Sequence, residues 1–300
     1  YDAVVLATGA TEDRRLGIPG EELGNVLGSG AFVQWYNAHP DHAALGPDLA
    51  VKSVAIIGHG NVAIDVARVL AKTAAEMARS DLSPLAAPHI HGAPVTHIHL
   101  IGRRGPVEAS FTNAELAELG RLARAAPVVD AADLGVEAPA DDKVKQANLA
   151  TLREFATVDA AGRPVRLHFH FHARPLAFLG DGTVTGLRLL APQGERDLPC
   201  ELAVTCIGYR ATMLDGVPFD AARGVVPNDR GRVADGLYVA GWAGRGPSGV
   251  IATNRADGFA LAGRIVTEVK PADRPGRTGL DTLLVSRGVS ASSWDDWRRI

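Results

Sequence analysis

The sequence predicts an α/β fold, because two apolar runs typical of β-strands each pass through a glycine-rich turn into a helical pattern. The first covers residues 54–70, VAIIGHGNVAIDVARVL, and turns through Gly58, Gly60 and Ala63. The second runs from the strand at 236–241 through GRGPSG to a helical stretch at 250–269. In a parallel sheet such a turn presents a helix N-terminus to a ligand, and a pyrophosphate fits there.

The residues after the next apolar run indicate which dinucleotide the first turn would take. HLIGRRG at 99–105 places Arg103 and Arg104 at the end of a predicted strand. Sites for NAD usually carry an acid after that strand, whereas paired guanidinium groups would hold a phosphate. The pair therefore favours NADP(H), with two exposed, solvated arginines as the alternative interpretation.

The remaining segments alternate between strand and helix patterns. Strands are expected at 1–8, 53–58 and 96–101, and helices at 30–38, 61–79, 112–125 and 141–157. A period of two at 165–179 and 183–192 predicts antiparallel strands, while 80–95 and 191–199 are expected to be loops. In the helix at 112–125, Thr112 is a candidate N-cap and Glu115 its capping-box partner, with a leucine stripe of Leu116, Leu119 and Leu122.

Composition excludes several function classes. The chain has 300 residues, a net charge of −3 and 22% charged residues, so it lacks the basic field expected for binding nucleic acid. No apolar run reaches the roughly 20 residues of a membrane helix. Cys200 and Cys206 do not form a C-x-x-C pair, and few cysteines favour a cytoplasmic location.

Several motifs together resemble one flavoprotein family, the adrenodoxin reductase type of ferredoxin–NADP(+) reductase. The motifs, in family order, are VVLATGA at 4–10, LGIPGE at 16–21, FVQWYNAHP at 32–40, IIGHGNVAIDVARVL at 56–70, IGRRGPVEASFTNAELAELG at 101–120, IGYR at 207–210, VPN at 226–228 and YVAGWAGRGPSGVIATNRADG at 238–258. The family's N-terminal segment, with a separate glycine fingerprint for the ADP half of FAD, is absent. We therefore expect this chain to be an N-terminally truncated member.

The resemblance implies a role for individual residues at an NADP site. Gly58, Gly60, Asn61, Val62 and Ala63 would line the pyrophosphate, and Arg103 and Arg104 would hold the 2′-phosphate. Glu115 would contact the nicotinamide side of the cofactor, unless it only caps the helix. Glu118, one turn on, is a candidate for relaying protons, and the alternative is an exposed helix carboxylate without such a role.

The resemblance also implies an FAD site in the second glycine-rich region. Gly9 and Gly241 would contact FAD, and Trp242 would lie beside the flavin unless it is only a core aromatic residue. Gly249, Val250 and Ile251 would give backbone N–H groups to the pyrimidine end of the flavin ring, where hydride transfer leaves negative charge.

Histidines raise the separate possibility of a metal site. His168, His170 and His172 alternate along a strand and share one face, but neighbours on that face are nearly 7 Å apart and no acid or cysteine joins them. We expect no metal and interpret them as a solvent-facing polar row. His89, His91, His97 and His99 are interpreted as structural.

The expected architecture is two Rossmann-like dinucleotide-binding domains, with an NADP domain (10–208) inserted into an incomplete FAD domain (1–9 and 209–300). The implied reaction is hydride transfer from NADPH to FAD, followed by single-electron transfer to a ferredoxin-type iron–sulfur protein, for which Arg14, Arg15, Arg121 and Arg124 are candidate docking residues. One alternative is a nucleotide-binding module without catalysis of its own. Another is an NADPH flavoprotein like the small subunit of glutamate synthase.

Overall fold

The computed structural model describes residues 1–249 and 251–299 and has an α/β fold with a parallel sheet. The strands are β1 (Val4–Leu6), β2 (Glu12–Asp13), β3 (Val26–Gly28), β4 (Ser53–Ile57), β5 (His97–Ile101), β6 (Ala125–Val128), β7 (Val165–His170), β8 (Arg174–Asp181), β9 (Thr183–Ala191), β10 (Gly194–Pro199), β11 (Leu202–Thr205), β12 (Tyr209–Arg210), β13 (Arg232–Ala234) and β14 (Leu237–Val239). The α-helices are α1 (Ser29–Tyr36), α2 (Asn61–Ala71), α3 (Ala74–Met77), α4 (Ala87–Gly92), α5 (Asn113–Leu119), α6 (Lys143–Phe155), α7 (Trp242–Arg245), α8 (Ile251–Glu268), α9 (Gly276–Ser286) and α10 (Trp294–Trp297). None of these helices is both long and apolar enough to span a bilayer.

The chain separates into two compact units. Unit 1 contains Tyr1–Glu12 and Tyr209–Ile300, and unit 2 contains Asp13–Gly208. Each is described by itself below.

Unit 2 is built around a six-stranded parallel sheet in the order β3-β11-β4-β5-β7-β6. One face of this sheet packs in a core with α1, α2, α5 and α6, whose fully buried members include Phe32, Leu70, Leu116 and Leu152. A second apolar cluster, which includes Ile57, Ile101 and Leu187, packs residues of β4 and β5 together with the antiparallel sheet β10-β9-β8. Because the central strands are covered on both faces, β4 reads as a continuous apolar run.

Unit 1 has a smaller three-stranded sheet, β1-β14-β13. β1 and β14 are parallel, and β13 is antiparallel to β14. Its buried apolar cluster is Ala211, Val226, Val239 and Ala243. The strand expected at 1–8 is only three residues long, and two of them, Val4 and Val5, are exposed.

Two predicted helices end earlier than expected. The helix expected at 61–79 stops at Ala71, because Lys72 is extended and Thr73 begins α3 with a capping box closed by Glu76. The helix expected at 112–125 stops at Leu119, before the buried strand β6. The leucine stripe of that helix is buried as predicted.

Three further expectations about local structure are wrong. The loop at 80–95 contains α4, which has Pro88 in its first turn and buries Ile90. The loop at 191–199 contains β10, which a cross-strand ion pair between Arg188 and Asp197 joins to β9. Strand β7 is parallel to its neighbours, not antiparallel. Its period of two reflects the different burial of the two faces of the sheet, and this pattern does not depend on the direction of pairing.

Candidate dinucleotide sites

The turn between β4 and α2 is shaped by a glycine that no other residue could replace without strain. Gly58 has a φ of +142°, and a Cβ there would lie 2.4 Å from the carbonyl oxygen of Cys206. Its N–H donates to the carbonyl of Ile101 at 2.8 Å. The turn is therefore fixed against the ends of β11 and β5, and α2 starts three residues later, at Asn61.

The N-terminus of α2 is open to a ligand. Gly60 occupies the N-cap position in an extended conformation and has no side chain that could accept from the first-turn N–H groups. Four such groups lack an intrahelical partner at any helix start. Ala63 is fully buried where the helix approaches the sheet, whereas Val62 is only partly covered. The helix dipole and free N–H groups favour an anion at this end.

His59, which the sequence analysis did not single out, lies in the turn between β4 and α2 and packs its ring into the core. The His59 ring is buried, lies 4.9 Å from the Phe171 ring in an edge-on arrangement, and is 3.1 Å through Nε2 from the Leu100 carbonyl oxygen. Burial lowers the pKa of His59 to about 4, so the ring is neutral at neutral pH. A Cβ on Gly102 would come within 2.2 Å of this ring.

Arg103 and Arg104 lie directly after β5, which pairs in parallel with β4. Because carboxyl ends of parallel strands meet at one edge of a sheet, this pair lies at the same edge as Gly58. Both side chains are exposed, and among the described residues neither has an ion-pair or hydrogen-bond partner. Two unneutralised guanidinium groups are thus available beside the open helix end.

The start of α5 is joined to the start of α2. The side-chain oxygen of Asn61 accepts from the backbone N–H of Thr112 at 2.7 Å, so the capping box expected between Thr112 and Glu115 does not form. Instead, Oε2 of Glu115 is buried without a hydrogen-bond partner among the described residues. A buried acceptor left without a donor is costly, and a ligand N–H group would satisfy it.

Glu118 binds a residue of α2. Its carboxylate pairs with the guanidinium of Arg68, which also pairs with Asp65. The Glu118 side chain is 45% exposed. This contact gives Glu118 a role in holding α5 against α2.

Unit 1 brings two glycines of the second candidate site to one edge of its sheet. Gly9 follows β1 and Gly241 follows β14, and these strands are parallel. Both glycines have a positive φ, +73° and +65°. Gly241 is the N-cap of α7, whose first residue is Trp242.

The loop after Trp242 is tied to α8 by an arginine that the sequence analysis did not identify. The Trp242 indole donates to the Ser248 carbonyl at 3.1 Å, and its ring is stacked with Tyr209, with centroids 6.3 Å apart. Arg245 pairs with Asp257 at 2.9 Å and donates to the side-chain oxygen of Asn254 at 2.7 Å. Trp242 is partly exposed, so it is not a core residue.

α8 begins beside this loop. Gly249 has a φ of +80°, and a Cβ there would meet Oγ1 of Thr253 at 2.6 Å. Ile251 is the first helical residue. Val250 lies outside the described residues, as does the side chain of Ile251.

The two cysteines are free thiols in unit 2. Burial raises the pKa of Cys200 to about 12 and raises that of Cys206 as well. Both are therefore protonated at neutral pH, which makes them poor nucleophiles.

Comparison with known proteins identifies the family. Residues 1–124 match the family model described as pyridine nucleotide-disulphide oxidoreductase. The chain is 37% identical to the human mitochondrial NADPH:adrenodoxin oxidoreductase, with all of this chain aligned to 68% of that protein. It is 38% identical to the NADPH-ferredoxin reductase FprA of Mycobacterium tuberculosis, over 86% of this chain and 61% of that protein.

A solved structure agrees with this result. The structure described as Mycobacterium tuberculosis FprA in complex with NADPH superposes with a TM-score of 0.88 at 34% identity, over 96% of this chain and 70% of that one. The uncapped start of α2, the arginines after β5 and the glycine turns of unit 1 occur in a chain that matches these proteins over most of its length. The chain belongs to the family of NADPH:adrenodoxin oxidoreductases and FprA-type NADPH-ferredoxin reductases.

Proposed function

We propose that this chain is the NADPH-binding and flavin-binding part of a reductase that takes hydride from NADPH and passes single electrons to a ferredoxin-type iron–sulfur protein. The observation that carries the proposal is the open N-terminus of α2 next to two unpaired arginines at one sheet edge. The printed names of the relatives, which include adrenodoxin and ferredoxin, support the choice of acceptor.

We infer that both units are Rossmann-like dinucleotide-binding domains, with an NADP domain (10–208) inserted into an FAD domain (1–9 and 209–300). The division of the chain into a unit from Asp13 to Gly208 and a second one from the remaining segments supports this arrangement. The parallel sheet of unit 2 and the parallel pair β1 and β14 of unit 1 are the parts on which a dinucleotide would rest.

Unit 2 would hold NADP through backbone N–H groups and through the positive charge of two arginines. The N–H groups at Gly60, Asn61, Val62 and Ala63 would bind the pyrophosphate, and Gly58 would let the chain pass close to it. Arg103 and Arg104 would clamp the 2′-phosphate. The orphan oxygen of Glu115 would accept from an N–H group of the nicotinamide end.

Unit 1 would hold FAD in a comparable way. Gly9 and Gly241 give a side-chain-free edge to the sheet, and Trp242 offers a partly exposed aromatic surface. Ile251 is the first residue of an 18-residue helix, whose dipole would stabilise negative charge on the flavin, and the N–H groups of Gly249, Val250 and Ile251 would donate to the flavin ring. Bound flavin supplies the ability to accept a hydride and release electrons singly.

The protein side chains would position the cofactors and the electron carrier, and would not take part in hydride transfer themselves. Glu118 pairs with Arg68, so we assign it to joining α5 and α2 and not to proton transfer. Among the candidate docking residues, Arg124 donates to the Leu70 and Ala71 carbonyls at the end of α2 and is thereby occupied. Arg15 and Arg121 are exposed and remain candidates for contact with an acidic electron carrier.

The test is the double variant Arg103→Ala/Arg104→Ala, measured by calorimetric titration with NADPH and with NADH. A charge-assisted hydrogen bond contributes about 1.5–3 kcal/mol, so we expect NADPH to bind at least about 100-fold more weakly and NADH less than about threefold. Arg79→Ala, an exposed arginine elsewhere on unit 2, is the matched control and should bind both as the parent does. Equal losses for the two nucleotides would reject the phosphate clamp.

A further inference from the structure

Four histidines from two adjacent strands meet on the face of the parallel sheet opposite the main core. His97 and His99 lie on β5, and His168 and His170 lie on β7. The register pairs His99 with His168 directly. Their chain neighbours Ile98, Leu100, Leu167 and Phe169 point into the main core, which fixes the histidines on the other side.

The ring nitrogens lie close enough together to contact a single bound ion. Nδ1 of His97 lies 3.0 Å from Nε2 of His168, and Nδ1 of His99 lies 3.0 Å from Nε2 of His170. The His99 and His168 rings are stacked with centroids 4.7 Å apart. One ligand nitrogen from each of His97, His99 and His168 lies within 4.8 Å of the others.

This arrangement differs from the solvent-facing row that the sequence predicts. His168 and His170 are partly covered, and His99 is only 8% exposed. His172 does not belong to the group, because it follows β7 in a left-handed conformation and is exposed. The partners come from β5, 71 residues away in sequence, and a pattern along one strand cannot reveal them.

We propose that His97, His99 and His168 form a binding site for a divalent transition-metal ion that prefers imidazole nitrogen, with Zn²⁺ as the ion we would test first. Zn–N bonds of about 2.0–2.1 Å in a tetrahedron require nitrogens about 3.3 Å apart. This is close to the 3.0 Å between Nδ1 of His97 and Nε2 of His168. The metal would take the place of the proton that His97 and His168 share in their hydrogen bond. A fourth position would be open to water on the exposed His97 side.

The surroundings decide what strength of binding to expect. His99 is only 8% exposed and His168 is partly covered, so a metal ion bound between them would be shielded from water on that side. Two cations stand nearby, since Arg166 neighbours His168 and Arg196 is 3.0 Å from Nδ1 of His170. Because these two arginines oppose a bound cation and all three ligands are imidazoles, we expect binding in the micromolar range, at a site that joins β5 to β7.

The experiment uses the whole chain, freed of metal with a chelator, and titrates it with ZnCl₂ by calorimetry and with CoCl₂ by visible absorption. We expect one equivalent to bind, tetrahedral Co²⁺ bands to appear, and the thermal midpoint to rise with Zn²⁺. His97→Gln changes an exposed residue, so the variant should fold, and it should bind at least tenfold more weakly. His172→Gln is the matched control and should bind as the parent does.

Three outcomes would overturn the proposal. These are no saturable binding by the parent, unchanged binding by His97→Gln, or an equal loss in His172→Gln. The readouts do not depend on NADPH or flavin, so failure here leaves the proposed reductase function untouched.

Discussion

His59 and Gly102 show how one buried ring can hold the turn between β4 and α2. The His59 ring fills the space below the turn, and Gly102 leaves room that a methyl group would occupy at 2.2 Å from the ring. His59 therefore acts as packing, and its nitrogen finds a partner in the Leu100 carbonyl. Packing of this kind keeps Gly58 and Gly60 in place.

The buried His59 should make unit 2 sensitive to acid. Its pKa is about 4 in the folded chain and about 6.5 unfolded, so the unfolded state binds more protons between these values. The contribution is fully favourable to folding above pH 6.5 and is lost as pH falls toward 4, by about 3 kcal/mol. Denaturant unfolding at a series of pH values measures this loss.

His59→Gln supplies the comparison for that prediction. The variant keeps a hydrogen-bonding side chain that does not titrate, so its free energy of unfolding should fall less steeply than that of the parent between pH 6.5 and 4. His99 and His168, whose pKa values are also lowered by desolvation, remain in both proteins, so their contributions cancel in the difference. Identical slopes would show that His59 is not a buried neutral base.

Glu115 offers a second prediction at the level of a single side chain. Its buried oxygen has no donor among the described residues, so removing it should relieve a cost in the free chain and remove a partner in the complex. We expect Glu115→Ala to weaken NADPH about tenfold while the unfolding free energy stays level or rises. Chemical denaturation and NADPH titration of the same preparation measure both, and a fall in stability with unchanged NADPH affinity would contradict the assignment.

At the level of elements, the starts of α2 and α5 are coupled at two points. Asn61 accepts from the Thr112 backbone at the first turn of α2, and Arg68 joins Asp65 and Glu118 further along. The coupling sets Glu115 near the start of α2 through Thr112. These contacts hold α5, which carries Glu115, against α2.

The Arg68 contact predicts the behaviour of Glu118. Because the Glu118 side chain is 45% exposed, the ion pair contributes less than about 1 kcal/mol. Glu118→Gln should lower stability by no more than that and leave the pH profile of NADPH oxidation unchanged. Loss of one limb of the profile, measured by steady-state kinetics, would instead make Glu118 a proton-transfer group.

Local sequence patterns were sufficient to predict a buried strand and the helix that follows its glycine turn. β4 is buried from Val54 to Ile57 and α2 begins at Asn61, as the run of apolar residues and the glycine turn predict. These patterns did not predict structure that depends on contacts between elements. Asn61 of α2 accepts from the Thr112 N–H that a capping box would use, and Arg188 of β9 pairs with Asp197 of β10. The same reason hides the histidine group, because β5 and β7 become neighbours only in the sheet.

For the whole molecule, the two units differ in how much apolar surface they bury. Unit 2 has two apolar clusters on its parallel sheet, whereas unit 1 has a small one and leaves Val4, Phe259 and Val266 exposed. A ligand that binds only the folded state adds RT ln(1 + [L]/Kd) to the free energy of unfolding, which is a larger fraction of the total for a unit with a small core. FAD should therefore stabilise unit 1 more visibly than NADPH stabilises unit 2.

The most direct measurement is anaerobic visible absorption of the purified chain after incubation with FAD and removal of free flavin. The account predicts a yellow protein whose flavin absorbance bleaches with NADPH, much more slowly with NADH, and recovers when oxidised ferredoxin is added. A colourless protein that still binds NADPH would contradict it and favour a nucleotide-binding module without catalysis of its own.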